Sequence, residues 1–448
     1  MFGESLKFEK YIVGGAVRDI CLGAQPKDID FTTPLTKQQI IDYCTMNNIK
    51  YFVPSEEYET VCVFENDMIF EVTPYRKDIL STGRHTKHTY TLTLKEDLSR
   101  RDFTINAIAL SNDGNNIDYF GGISDIQNKL IRTVGNPNER FMEDYLRIIR
   151  GIRFATNLGF SIDEYTFEAM KAHAYKIKDN VSVERVVSEV EKVFTCANNK
   201  PSIFFEYMKE LGILKDYFPL LQRIIDEIGN KFPIPEFHTE GSTWEHIKKC
   251  LDNSPNNSEL RWFCLTHDLG KLMTAVVHPE HPEYYRFVGH ENYSELIVEF
   301  FSNLKVSKEL VSNCIFIMEN HMKVLHEVSY KTLKRLSYEY GFDNVRNLIT
   351  FSLIDSSMNP NTRNGVTASK NYELLQQIII DTGDNVHTIE PVVDGEFIMN
   401  KLNMKPSREV GMIKNMCYEY QLETGSMDKD NIFNNVKDKI FNPKREDK

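Results

Sequence analysis

The chain has 448 residues, of which 41% are hydrophobic and 26% charged. It is too long for one ordinary core, its composition is that of a globular protein, and two to four domains are expected. No apolar run approaches the ~20 residues needed to span a bilayer, and the opening MFGESLKFEKYIVGG lacks a basic stretch followed by an apolar one, so a cytoplasmic protein without a membrane partner is expected. The net charge of −12 leaves a nucleic-acid partner open, because a basic face on one domain can coexist with an acidic remainder. The eight cysteines are scattered without a CxxC pair, which predicts reduced thiols and no zinc site.

Residues 1–120 alternate short strands with helical spacing. Tyr11–Val13 is an apolar strand that breaks at Gly14-Gly15, and Ala16–Leu22 continues as a helix. Further strands are predicted at Ile29–Phe31, Val61–Phe64, Met68–Thr73 and Tyr90–Leu94. From about 125 to 230 the pattern is helical, with one helix over Arg140–Leu158 closed by Gly159 as C-cap. Another starts at Ser182 as N-cap and places Val183, Val186, Val187, Val190 and Phe194 on one face. Gly229–Thr243 reads as a linker, residues 244–360 as helices holding most of the histidines, and about 390–440 as a small helical unit with a charged, frayed tail. No internal repeat is found. The fold class expected is α+β.

Two constellations in the first part point to nucleotide chemistry. Gly14-Gly15 sits between strand and helix, where backbone N–H groups can approach a triphosphate, and Arg18 lies one turn further on. Asp28 and Asp30 are two apart in a predicted strand, so both side chains face one side and repel unless a cation lies between them. Two Mg²⁺ ions there would activate a hydroxyl and steady a leaving pyrophosphate. A bare DxD is most often a surface turn; the glycine turn, Arg18 and the strand context favour the metal reading.

GGAVRD…DID resembles the signature of the polymerase-β-like nucleotidyltransferases, specifically the bacterial-type (class II) tRNA nucleotidyltransferases and their poly(A) polymerase relatives. The resemblance runs on through FEVTPYR, where Glu71 matches a further acidic position, and through LKEDLSRRDFTINAIAL, with its cluster of Arg100, Arg101, Asp102 and Asn106. Arg101 suits a triphosphate, and Asp102 with Asn106 suits the ribose side. In DYFGG, Tyr119 stands where the family usually has proline, which puts the stiffness of that turn in doubt. GNPNERFMEDYLRIIRGIRF carries Glu143, Asp144 and Arg147 in a predicted helix. The resemblance implies that Asp144 and Arg147 act as an amino-acid template reading the Watson–Crick edges of C and A, with Arg150 and Arg153 completing the nucleotide-binding set. Ser182, Glu184, Arg185, Glu189 and Lys192 match a further helical motif expected to support the neck.

The histidines form a third constellation. His246, His267-Asp268 with Lys271, His290, His321 and Asp355 follow the H…HD…H…H…D order and resemble the HD phosphohydrolases, which implies a divalent metal of unassigned identity and hydrolysis of a cyclic phosphate or phosphomonoester. Asp355 is the least regular of these, since IDSS departs from the usual residues. Ser407 likewise replaces a glycine of the family's C-terminal segment, where Lys401, Lys405 and Lys414 are candidates for phosphate contacts.

The resemblance therefore implies a polymerase-β-like nucleotidyltransferase head (1–122), a helical neck (123–230), an HD-containing body (240–365) and a tRNA-binding tail (366–448). The implied activity is addition of CCA to the 3′ end of tRNA from CTP and ATP. The segment 76–100, where Asp78, Gly83, Arg84 and His85 match a loop that helps the family switch from C to A, is full length and favours complete CCA addition. Poly(A) synthesis, partial CC or A addition, and an HD hydrolase with a degenerate RNA-binding head are the alternatives. Oligomeric state is left open.

Overall fold

A computed structural model describes residues 3–55, 59–82, 85–91, 93–233, 241–356, 363–382 and 390–441. The chain divides into two compact units, Met1–Gln222 with Asn303–Lys305, and Arg223–Ser302 with Val306–Lys448.

The described residues of the first unit hold eleven strands, of which β10 (Leu130–Ile131) and β11 (Ser161–Ile162) pair in parallel on their own and the other nine are β1 (Tyr11–Val13), β2 (Ile29–Thr33), β3 (Tyr51–Phe52), β4 (Val61–Glu65), β5 (Met68–Pro74), β6 (Arg76–Thr82), β7 (His85–Tyr90), β8 (Ile108–Ser111) and β9 (Asn116–Asp118). Seven of them form one sheet in the order β3-β4-β5-β2-β1-β8-β9, while β6 and β7 pair separately. Within the large sheet β2 and β5 run parallel and the other pairs antiparallel. Alternation along β2 buries Ile29 and Phe31 and leaves Asp30 on the other face. Phe31 meets Phe70 of β5 edge-on at 5.5 Å, which fixes the pairing by packing.

Helix α1 (Gly15–Cys21) follows β1 directly, and α2 (Lys37–Met46) starts in a capping box between Thr36 and Gln39. The expected strand Tyr90–Leu94 is not formed as such. Tyr90 ends β7, Thr93 accepts from the Glu96 amide at 3.4 Å, and helix α3 (Leu94–Ser99) begins. The DYFGG turn is stiffened by Asp118 rather than by a proline. Its carboxylate accepts from the amides of Phe120, Gly122 and Ile123 at 3.2, 3.0 and 2.9 Å. Gly122 then opens α4 (Gly122–Gln127) against the 3₁₀ turn Thr104–Asn106, so close that a Cβ on it would overlap the Thr104 carbonyl oxygen.

The single helix expected over Arg140–Leu158 is two, α5 (Pro137–Glu143) and α6 (Leu146–Leu158). Asp144 is extended (φ −154°, ψ 107°) and its side chain accepts from the Leu146 amide at 3.1 Å, so a carboxylate competes with the backbone and restarts the helix. Gly159 closes α6 in the left-handed region, as its position predicts. Then come α7 (Glu164–His173), α8 (Ile177–Asn180) and α9 (Val183–Phe194), whose Val186, Val190, Val193 and Phe194 are buried.

Among its described residues, the regular structure of the second unit is helical apart from a pair of two-residue strands, Val276–Val277 with Tyr285–Arg286. Its core includes Trp262, edge-on to Phe301 at 5.5 Å. Near the C-terminal end three helices, Gly395–Leu402, Arg408–Thr424 and Lys429–Phe441, close a small core around Ile398, Cys417 and Phe433. Ser407 caps the middle one by accepting from the Val410 amide at 3.4 Å, which gives the residue in place of glycine a physical use.

Gly122→Ala should lower stability in urea unfolding followed by circular dichroism by about 3 kcal/mol, since the overlap is with backbone that cannot turn away. Gly114→Ala, at φ +80° in the open β8–β9 turn, should cost about 1 kcal/mol. Equal losses for the two would refute the close-approach argument.

Candidate active site

The strand pairings bring three carboxylates and a glycine to one place. Asp30 stands opposite Glu71 across β2–β5 and opposite Val13 across β1–β2, and Gly14 follows Val13. Asp28 lies two residues before Asp30 and, like it, is exposed. The Asp30 carboxyl is pushed up from its ordinary value by the protein packed around it, then by the charges of Glu71 and Asp28, while Arg101 acts in the opposite sense. Gly14 has φ +77°, and a Cβ there would sit 3.0 Å from the Arg101 guanidinium and 3.9 Å from Asp30. Only glycine lets the turn, the arginine and the carboxylate share this corner.

Next to the corner is a cavity of about 450 Å³ lined by six arginines (Arg18, Arg100, Arg101, Arg147, Arg150 and Arg185) and three aspartates (Asp30, Asp102 and Asp144), with Gly14, Gly15, Asn106, Leu146 and Phe154. This local excess of positive charge answers the acidic total of the chain. The arginines are held by carboxylates behind them. Asp97, fully buried, receives Arg100 at 3.1 Å, Arg101 at 3.6 Å and the hydroxyl of Thr32 at 3.3 Å. Asp102 accepts from Arg150 Nε at 2.8 Å, from Asn106 at 3.1 Å and from the Phe103 amide at 2.8 Å, and Asn106 in turn accepts from Arg18 at 3.0 Å. The ring of Phe154 lies 5.4 Å from the Arg18 guanidinium, 5.5 Å from Arg150 and 3.9 Å from Arg153.

Asp144 and Arg147 are tied to different partners. Arg185 grips Asp144 with two nitrogens at 3.3 and 2.7 Å. Arg147 pairs with Glu143 and donates to the carbonyls of Arg140 and Arg100, each at 3.1 Å. Arg153 does not line the cavity; it pairs with buried Glu189, which also receives Lys192 at 2.7 Å.

In the second unit, six side chains from five separate segments converge. His246 Nε2 lies 3.3 Å from His267 Nε2 and 2.8 Å from Asp355 Oδ1. Asp268 turns Oδ2 toward His267 at 3.3 Å and Oδ1 toward His290 at 3.4 Å, while Lys271 pairs with Oδ2 at 2.7 Å. His290 and His321 face each other, Nε2 to Nε2, at 3.0 Å. The Nδ1 atoms of His267, His290 and His321 point at the carbonyls of Cys264, Phe287 and Met318 at 3.1, 2.9 and 2.8 Å. Each must donate there, so each Nε2 offers a lone pair to the centre. Burial lowers both His290 and His321, the latter to about 3. Lone pairs and carboxylates facing one another in a buried site fit a divalent cation. Two ligand groups result, His246, Cys250, His267 and Asp355 in one, Asp268, His290 and His321 in the other.

The poly A polymerase head domain family matches residues 10–132, and the family described as a probable RNA and SrmB-binding site of polymerase A matches residues 159–225. A CCA-adding enzyme of Streptococcus mutans serotype c (strain ATCC 700610 / UA159) is 36% identical over 279 residues, 60% of this chain and 67% of the relative. One from Staphylococcus aureus (strain MRSA252) is 40% identical over 231 residues, 51% of this chain and 56% of the relative. The chain belongs to the CCA-adding enzyme family. Its matches span about two thirds or less of the curated relatives' length. In fold it is similar to the Bacillus stearothermophilus CCA-adding enzyme solved with CTP, with a TM-score of 0.67, 22% identity and coverage of 96% and 93% of the two chains. The Thermotoga maritima CCA-adding enzyme solved with tRNA_CCA gives a TM-score of 0.53, 19% identity and coverage of 98% and 93%. Nucleotidyltransferases of this family work with a divalent metal, and no helix among the described residues is long and apolar enough to cross a membrane.

Of the residues expected in the head of this CCA-adding family member, Gly14, Gly15, Arg18, Asp30, Arg101, Asp102, Asn106, Asp144, Arg147 and Arg150 line one cavity. Asp28 and Glu71 adjoin Asp30 without lining it, and Glu143 serves Arg147. Gly83 and Arg84, and the side chains of Asp78 and His85, lie outside what is described. All six expected metal ligands of the second unit meet, Asp355 included. Asp97 and Arg185 were not anticipated as site residues. Arg185 carried a signal, being an arginine in a matched motif that packing alone does not require.

Burial alone would raise the Asp102 carboxyl, but the Arg150 charge and the donors from Asn106 and Phe103 hold it down to about 2. A carboxyl lowered on folding stabilises above its unfolded value of about 4, and that stability is lost as pH falls toward 2. Asp102→Asn should therefore cost about 2 kcal/mol in urea unfolding at pH 7, and the gap to wild type should close between about pH 4 and 2. A pH-independent difference would show that the charge is not the source.

Proposed function

We propose that the first unit adds CCA to the 3′ end of tRNA, taking CTP and ATP and releasing pyrophosphate. The observation that carries the reading is the single cavity in which Asp30, beside Asp28 and Glu71, stands at one side of an arginine-lined space that also contains Asp144 and Arg147. The family relatives, named for CCA addition, support it. Asp28 and Asp30, with Glu71 as a third carboxylate, would hold magnesium, which when bound supplies charge neutralisation at the triphosphate and favours ionisation of the attacking hydroxyl.

The chain's own groups do the rest by position. Arg18 and Arg101, with the Gly14-Gly15 backbone, receive the triphosphate. Asn106 faces the ribose side. Asp102 has its oxygens taken by Arg150, Asn106 and the Phe103 amide, so it acts by holding those partners in place. The 3′-oxygen of tRNA attacks the α-phosphorus in line, its proton is lost, the bond to the β-phosphate oxygen breaks, and pyrophosphate leaves. Asp144 accepts from the base amino group and Arg147 donates to the ring edge, choosing C or A. The head, neck, body and tail limits of 1–122, 123–230, 240–365 and 366–448 belong to this reading, as does a cytoplasmic location.

Purified protein with Mg²⁺ and tRNA ending before CCA, at C or at CC, should add two C residues and one A and then stop. Asp30→Ala should reduce extension to background. Arg185→Ala should lower kcat/KM about tenfold to a hundredfold and blur the choice between CTP and ATP, because it removes a charged two-point grip on the template carboxylate. Endless A addition would make the enzyme a poly(A) polymerase, a halt after C or failure to add C would make it a partial enzyme, and no addition would refute the transferase reading.

The converging lone pairs of the second unit favour a second activity, metal-dependent phosphohydrolysis at His246, His267, Asp268, His290, His321 and Asp355. A divalent ion bound there would supply an activated water for attack on a cyclic phosphate or phosphomonoester. Lys271 and the backbone carbonyls orient the ligands. Asp268→Ala should abolish hydrolysis of 2′,3′-cyclic nucleotide while leaving tRNA extension intact; hydrolysis that survives it would place that activity elsewhere.

A further inference from the structure

We propose that Cys250 is a thiolate ligand in the metal centre of the second unit, forming with His246, His267 and Asp355 a four-ligand subsite that selects a zinc-like ion over magnesium or manganese. The inference rests on the metal-centre reading above and adds to it a ligand that the histidine and aspartate pattern does not contain.

The helix Thr243–Asn253 explains why the thiol is there. His246 and Cys250 are four residues apart, so both project from one face, and both are buried. Cys250 Sγ lies 3.5 Å from His246 Nε2, which is itself 3.3 Å from His267 Nε2. One ligand atom from each of the four residues falls within 4.8 Å of the others. Bonds of ~2.1 Å to nitrogen and ~2.3 Å to sulfur at tetrahedral angles put nitrogen and sulfur ~3.6 Å apart and two nitrogens ~3.4 Å apart. The observed spacings match both values. His246 Nε2 also faces Asp355 Oδ1 at 2.8 Å, a hydrogen-bond distance that would open by about half an ångström when both atoms bind one ion.

The neighbouring group, Asp268, His290 and His321, has no sulfur. Asp268 turns one oxygen to each group, at 3.3 Å from His267 and 3.4 Å from His290. The centre thus has a softer and a harder half joined by a carboxylate, and softness of the ligands sets which metal each half prefers. The absence of CxxC spacing in the sequence pointed away from zinc. Helical His-x₃-Cys spacing with a carboxylate and a second histidine brought in by the fold gives a nitrogen, oxygen and sulfur set instead. The competing role for Cys250 is a packed thiol donating to His246, and the two roles separate spectroscopically.

The full chain, stripped with chelator and reloaded with Co²⁺, should show a thiolate-to-cobalt charge-transfer band in the near ultraviolet. Cys250→Ser should lose that band, keep the weaker visible bands of bound cobalt, and hold zinc against manganese on the order of tenfold less well. Cys62→Ser should keep the band; Cys62 is the control because it faces Glu71 across β4–β5 in the first unit. Wild-type protein that binds cobalt without the band, or a band that survives Cys250→Ser, would overturn the thiolate assignment and leave the histidine centre standing. Second-unit ligands that take up no cobalt at all would overturn the centre together with it. The wild-type spectrum decides even if the serine variant does not fold.

Discussion

Six arginines around one cavity repel one another, and the first unit depends on the buried carboxylates that hold them in place. Asp102 is the central one. It ties the 3₁₀ turn Thr104–Asn106 to helix α6 through Arg150, and to helix α1 through Asn106 and Arg18. Asp97 ties Arg100 and Arg101 to β2 through Thr32. A buried charge left without its partner costs far more than a surface pair gives, so each of these contacts fixes geometry as well as charge. The cavity therefore presents an array of guanidinium groups whose positions are set by folding and need little rearrangement when an anion arrives.

The second unit applies the opposite sign. There the buried groups are acceptors, with histidine nitrogens locked by i−3 carbonyls so that their lone pairs meet. On the proposed reading, the cations of the first unit receive a phosphate and the acceptors of the second receive a cation. Lys271 lies among these acceptors and pairs with Asp268, offsetting part of the negative charge.

Much of this was legible where chemistry follows local spacing. The break of β1 into Gly14-Gly15 and the helix start at Ser182 depend on neighbours within a few residues, although Asp28 falls just before β2 and Ser182 makes no side-chain cap hydrogen bond. What was not legible depends on partners far away. Arg185 reaches Asp144 from 41 positions on, and Arg153 is drawn to Glu189 across 36, away from the cavity it was expected to line. The split of Arg140–Leu158 at Asp144 has the same origin, since the carboxylate that interrupts the helix is also the one Arg185 holds. The false strand Tyr90–Leu94 is different. Thr93 followed three residues later by Glu96 is an N-terminal helix signal, and it outweighs the apolar alternation around it.

The separate tethering of Asp144 and Arg147 bears on how one protein surface could serve two bases. A carboxylate and a guanidinium on adjacent turns would ordinarily pair with each other, and a base would then have to break that pair before being read. Here Arg185 holds the carboxylate and Glu143 with two backbone carbonyls holds the guanidinium. Acceptor and donor are kept apart and both keep capacity for a further bond. C and A each present an amino group beside a ring acceptor, at different offsets. Two groups anchored from outside can follow that offset by small swings about their own tethers, whereas a closed pair would favour neither base. If Asp144 and Arg147 read the base as proposed, the residues behind them, more than the pair itself, set how evenly the two nucleotides are accepted.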